Sequence, residues 1–172
     1  GFEEFWIGSN ANKIVSATQL PVITIREGID IEIPLSKIVL PIDSTIDTRQ
    51  KVPFTSYLAK IHDAEIHALA VYTTKVEEVR SRVNRYVQQV VEYLEDEEIK
   101  YTTAEIEADN VTESTIEYAQ KVNANLISIM TEQERTTANL WLGPYAQQMV
   151  NHSPIPIMSI HPKELVRSTT GG

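Results

Sequence analysis

LSKIVLPID at residues 35–43 and AEIHALAV at residues 64–71 are two short, nearly continuous apolar runs, the first closed by a proline and an acid. Runs of this kind read as strands buried on both faces. Between them KVPFTSYLAKIH, residues 51–62, sets Phe54, Leu58 and Ile61 at helical spacing, so the order is strand, helix, strand. Working outward, Val76 to Leu94 predicts a long amphipathic helix with Val79, Val83, Val87, Val90, Val91 and Leu94 on its apolar side. IKYTTAEIEA, residues 99–108, alternates as a flatter and more exposed strand. VTESTIEYAQKVN follows as a helix with Asn110 or Thr112 as candidate cap, and NLISIM, residues 125–130, is a further core strand. A helix around Tyr145 to Asn151 and the strand PIPIMSI complete the series. Alternation with short connections argues for a mostly parallel sheet with helices on both faces, and for Val39, Leu40, Leu69, Val71, Ile127 and Ile129 in its core.

The chain has 172 residues, 42% of them hydrophobic, the length of one domain with an extra element. Fifteen Lys and Arg against 24 Asp and Glu give a formal charge of -9, which repels a phosphate backbone or an anionic membrane. The absence of cysteine excludes disulfides and thiolate chemistry. No apolar run approaches the ~20 residues of a membrane span. The opening GFEEFWIGSNANKIV lacks the basic-then-apolar order of an export signal, and a cytoplasmic location is the expectation. His62, His67, His152 and His161 have no metal-ligand spacing, and Ser128 and Ser159 lack a nucleophile-elbow context.

A repeat links the two ends. FWIGSNANKIVSATQLPVITI matches LWLGPYAQQMVNHSPIPIMSI without a gap at a displacement of 135: Trp6, Gly8, Ala11, Val15, Pro21 and Ile25 recur as Trp141, Gly143, Ala146, Val150, Pro156 and Ile160. A helix-strand unit that closes the domain therefore also precedes it. Residues 1–27 read as the last helix and strand of a preceding homologous domain, 28–34 as a linker, 35–162 as a complete domain and 163–172 as a flexible tail.

The collinear set KIVLPID, AEIHALAV, ESTIEYAQKVNANLISIMT and LGPYAQQMVNHSPIPIMSI resembles the universal stress protein domain from Lys37 to Pro162. The opening segment is similar to the end of another such domain, so the parent resembles a tandem protein. The resemblance implies an α/β fold with a five-stranded, mostly parallel open sheet of order 3-2-1-4-5, of the adenine nucleotide alpha hydrolase-like kind. It also implies pairing of domains through their fifth strands. Here those are residues 20–25 and 155–160, expected to pair antiparallel within one chain or between two, and a homodimer is expected.

Some family members bind an adenine nucleotide beyond the carboxyl ends of the first and fourth strands, where strand order reverses. By resemblance the crevice residues are Pro41, Asp43, Val71, Met130 and Gly143. Asp43 would accept hydrogen bonds from the nucleoside; equally, it would brace the loop DSTIDT. In binding members the fourth strand runs into Gly-x-x-Gly, a spacer, and Gly followed by Ser or Thr. Here Thr131 and Glu134 stand where the two glycines belong, Gly143 follows after eight residues, and Pro144 replaces the hydroxyl residue. Pro144 has no amide hydrogen to offer, and Glu132 and Glu134 add charge that opposes a polyphosphate. Gly8 and Ser9 match the Gly-Ser that ends the family motif, as remnants of the preceding domain's phosphate loop. The expectation is a non-catalytic stress-response or regulatory domain with a degenerate crevice and no cofactor of its own, ATP or AMP being a matter for the parent tandem protein. The alternatives are an ATP, ADP or AMP sensor and an adenylating or phosphatase-like enzyme on a related sheet.

Overall fold

A computed structural model of the chain describes residues 9–131 and 143–163. In chain order the elements are α1 (Ser9–Ala17), β1 (Val22–Thr24), β2 (Lys37–Ile42), a 3-10 segment Ile46–Lys51, α2 (Val52–His62), β3 (Glu65–Tyr72), α3 (Glu77–Asp96), β4 (Tyr101–Glu107), α4 (Val111–Lys121), β5 (Leu126–Met130), α5 (Pro144–His152) and β6 (Ile157–Ile160). The strand order across the sheet is β1-β6-β5-β2-β3-β4. β2 pairs parallel with β3 and β5, β3 with β4, and β5 with β6.

The five-stranded sheet implied by the family resemblance is thereby corrected: the sheet has six strands and is mixed. The sixth is β1, which lies antiparallel on β6 with Val22 opposite Ser159, Ile23 opposite Met158 and Thr24 opposite Ile157. The physical reason is the outer edge of β6, whose unpaired amides and carbonyls take up the nearest strand-forming segment. Thr24 Oγ1 adds a bond to the Ile157 carbonyl at 3.2 Å.

Two apolar layers flank the sheet. On one face α1, α4 and α5 bring Val15, Ile116, Ala119, Ala146 and Met149 against Val39, Leu69, Ile127 and Ile157. On the other, α2 and α3 bring Val52, Ala59, Val90 and Leu94 against Ile38, Leu40, Ile66 and Met158. β2 and β3 are buried beyond their first residues because both of their faces are covered; β4, an edge strand, alternates because it is not. α4 opens on the Asn110 side chain, which accepts a hydrogen bond from the Glu113 amide at 3.2 Å. α2 closes at Asp63, held left-handed at φ 52° while the Ala64 amide returns to the Ala59 carbonyl at 2.9 Å.

The β1–β6 pairing has an internal symmetry. Ile23 and Met158 occupy the same place in the 135-residue repeat and also face each other in the ladder, so an approximate two-fold axis passes between them. The contacts beyond the strands obey it. His161, just after β6, donates from Nε2 to the carbonyl of Val15 in α1 at 2.5 Å, and Arg26, its repeat equivalent after β1, donates to the carbonyl of Asn151 in α5 at 2.8 Å. Each unit thus caps the carboxyl-terminal turn of the other's helix, where exposed carbonyls and the helix dipole favour a donor.

Candidate functional site

The order of the sheet reverses between β2 and β5, and the carboxyl ends of these strands define the candidate crevice. β2 runs out through Pro41 and Ile42 to Asp43, and β5 through Met130 to Thr131. The 3-10 segment Ile46–Lys51 crosses this end and packs on β5.

Asp43 is half-buried. Its Oδ1 accepts from the Thr45 amide at 2.8 Å and from the Thr45 hydroxyl at 2.6 Å, while its own amide donates to Thr48 Oγ1 at 3.2 Å. Pro41 and Val71 are buried and belong to the α4–α5 side of the sheet, Pro41 opposite Leu69 in the ladder. Met130 packs on the α2–α3 side. Gly143 caps α5 with extended backbone, φ -62° and ψ 163°, a conformation open to any residue. Its carbonyl accepts from the Gln147 amide at 3.0 Å, and Pro144 occupies the first turn. Ser9 opens α1. Gly8, Trp6, Glu132, Glu134 and Trp141 lie outside the described residues, as does the tail from residue 164.

Thr131, at the position of the expected first loop glycine, is buried, and its hydroxyl hydrogen-bonds His161 Nδ1 at 2.7 Å. His161 thus joins the Thr131 hydroxyl at Nδ1 to the Val15 carbonyl at Nε2. The end of β5 is therefore tied to the segment after β6 and to α1.

Sequence reasoning missed Lys51. Its ammonium is buried beneath the loop, donating to the Thr48 carbonyl at 2.7 Å and to Thr48 Oγ1 at 3.1 Å. Burial pushes its pKa down from 10.5 to about 8, and the Asp43 carboxylate opposes that fall. Next to it Thr55 Oγ1 donates to the Lys51 carbonyl at 2.8 Å and shares a 2.7 Å hydrogen bond with Ser128 on β5. The signal was present: Lys51 precedes Thr55 by four residues and Ala59 by eight, on the helix side that proves to face inward. At the amino end of the sheet His67 is also buried, with Nδ1 on the Tyr118 hydroxyl at 2.9 Å and Nε2 3.7 Å from Glu65; burial lowers its pKa more than Glu65 raises it.

The universal stress protein family model matches residues 34–161. The chain belongs to this family. A universal stress protein from Archaeoglobus fulgidus is 14% identical with a TM-score of 0.75, over 93% of this chain and 57% of that one. The chain thus spans little more than half the length of that relative. A universal stress protein in complex with cAMP is 13% identical, TM-score 0.61, over 74% of this chain and 98% of its own. An Arabidopsis thaliana member with AMP bound is 12% identical, TM-score 0.57, over 74% and 92%. No curated protein matches. Among the described residues no group of three His, Asp or Glu side chains is placed to hold a metal. No described helix is long and apolar enough to cross a membrane.

Proposed function

We propose that this chain is a regulatory, non-catalytic universal stress protein domain, residues 35–162, that follows the end of a homologous domain, residues 1–27, and acts in a cytoplasmic setting through protein contacts rather than through a bound polyphosphate. The observation that carries this reading is the internal engagement of the crevice. Asp43 Oδ1 is held by Thr45, and the hydroxyl of Thr131 by His161, so the two polar groups at the strand ends already have partners. The loop sequence supports it, with glycines replaced and Pro144 at the helix start. The symmetric β1–β6 pairing supports the tandem origin, in that a junction between two like domains has this two-fold form.

A second reading, a sensor of a nucleoside monophosphate, draws on the cAMP and AMP found with two relatives of the same fold. A single phosphate needs fewer backbone donors than a triphosphate. Isothermal titration calorimetry of the chain with ATP, AMP and cAMP tests both. The regulatory reading expects dissociation constants weaker than about 1 mM for all three. Low-micromolar AMP or cAMP with no ATP binding supports the second reading, and low-micromolar ATP overturns both.

A further inference from the structure

β4 closes one side of the sheet, and its outer edge lacks the usual means of refusing a further strand. It pairs with β3 in unbroken register from Ile66 opposite Tyr101 to Tyr72 opposite Glu107, without a bulge, and it contains neither Pro nor Lys. Its only charged residues are Glu105 and Glu107. The Ile66 amide donates to the Lys100 carbonyl and the Ala108 amide to the Tyr72 carbonyl, both at 2.9 Å, so the even-numbered residues of this segment face β3. The amides and carbonyls of Tyr101, Thr103, Glu105 and Glu107 therefore point outward. Among the described residues no strand lies beyond them.

The same residues share a face. Tyr101 packs in the α2–α3 layer and Glu107 takes Arg80 of α3 at 3.0 Å, so by alternation Thr103 and Glu105 also turn toward α3. There the helix leaves a groove of about 450 Å³, with Ala70, Val87 and Val91 as its apolar surface and Gln88, Thr103 and Glu105 as its polar one. Its electrostatics are acidic. Arg80, over the Tyr72 ring at 3.9 Å, is already engaged by Glu107. Among the described residues Glu105 has no cationic partner, nor has Glu92, bonded by Gln88 at 3.1 Å, nor Glu95, bonded by the Tyr101 hydroxyl at 2.5 Å. On the opposite face of β4, Ala104 and Ile106 are half-buried against the α4–α5 layer.

We propose that the free edge of β4 receives an extended segment of a partner protein in which basic and apolar residues alternate. Main-chain hydrogen bonds to Thr103 and Glu105 hold the segment as an added strand. A Lys or Arg enters the groove, its methylene stem on Val87 and Val91 and its charge at Glu105. The apolar residues on either side of it extend the surface of Ala104 and Ile106. Charge selects this occupant over a second copy of the chain. Two β4 strands side by side bring the glutamates of both together, in chains that each carry a formal charge of -9. The inference rests on the reading of a domain that acts through protein contacts and gives it a surface and a partner chemistry.

The probe is a synthetic peptide of about eight alternating Val and Lys residues, long enough to span β4, beside an alternating Val-Glu peptide and a Val-Lys peptide of the same composition in block order. Calorimetry on the full chain at low salt gives a dissociation constant on the order of 100 μM for the alternating Val-Lys peptide and values weaker than about 1 mM for the other two. The bound peptide slows amide exchange at Thr103 and Glu105 at least about fivefold and leaves Ala104 and Ile106, already bonded to β3, unchanged. Glu105→Lys weakens binding at least about tenfold. Thr103→Pro removes an outward amide and no bond to β3, and abolishes binding with the melting temperature within about 3 °C of wild type. Glu105 is exposed, so its variant decides the matter even where the proline variant fails to fold. Failure of the alternating Val-Lys peptide to bind, equal binding of the block peptide, indifference to Glu105→Lys, or protection at β1 in place of β4 overturns the proposal. So does light scattering in which this chain dimerises and Thr103→Pro abolishes the dimer, which assigns the edge to a second copy. The nucleotide titration reads the crevice independently, so failure of the one is distinguishable from failure of the other.

Discussion

Replacing Lys51 by methionine should make the protein more stable at neutral pH, and the size of that gain should depend on pH. The folded-state pKa, about 8, lies below the unfolded value near 10.5. Between those values the unfolded chain holds a proton that the folded chain has released, so stability rises with pH across this window. Below it both states are charged and the full cost of burying the ammonium is present. The shift of about 2.5 units corresponds to roughly 3 kcal/mol. From about pH 7.5 to about pH 9.5 the wild type should gain about 2 kcal/mol from this group alone, and Lys51→Met should lack that gain. Methionine also leaves Thr48 without two donated hydrogen bonds, worth about 1 kcal/mol each, so the net advantage of the variant at pH 7.5 is about 1 kcal/mol and reverses by pH 9.5. Urea unfolding of both proteins at the two pH values measures the difference directly. Burial raises the pKa of Tyr72 and Tyr118 above the usual 10, which keeps these two hydroxyls protonated through the range. Parallel wild-type and variant profiles would refute the reasoning, because they would mean that the Lys51 ammonium is solvated in the folded protein.

His67 obeys the same sign in a lower pH window. Its folded pKa lies below the ordinary 6.5, so stability is complete above that value and is lost as pH falls through the folded pKa; His67→Gln should flatten thermal unfolding between about pH 7 and pH 5. Thr55→Val removes the partner of the fully buried Ser128 hydroxyl and should cost about 1–3 kcal/mol in chemical denaturation, with Thr55→Val/Ser128→Ala costing less than the two single changes summed. Arg26→Ala loses the cap on the Asn151 carbonyl and should speed amide exchange in β1 more than in β2 or β3.

The individual strands β2, β3 and β5 were legible in the sequence because they are buried on both faces, and such segments have one apolar reading. The count of five, taken from the family pattern, was wrong, although the antiparallel pairing of residues 20–25 with 155–160 was expected from the repeat; what the sequence left open is that the pairing closes within one chain and so adds β1 to the same sheet as a sixth strand. In α2 the positions read as apolar, Phe54 and Ile61, are exposed while Thr55 and Ser56 are inside. Hydrophobic spacing identifies a helix face without saying whether a core or an interface covers it. At the candidate site Asp43 was placed correctly after β2, yet its partners depend on the turn through Thr45, and a lysine at a helix start reads as solvated until tertiary packing closes over it.

The pairing of β1 with β6 joins the first strand of the chain to the last, and that has a cost in time. A ribosome adding about 5–20 residues per second releases β1 roughly 7–30 s before β6 is complete. During that interval Val22, Ile23 and Ile25 have no β6 to lie against. In refolding, where the whole chain is present from the start, the same contact closes the longest loop in the sheet and should form after the local β2-α2-β3 unit. A preceding sheet of the same kind would shelter the strand on its other edge while it waits, making the order of synthesis and the order of assembly the same.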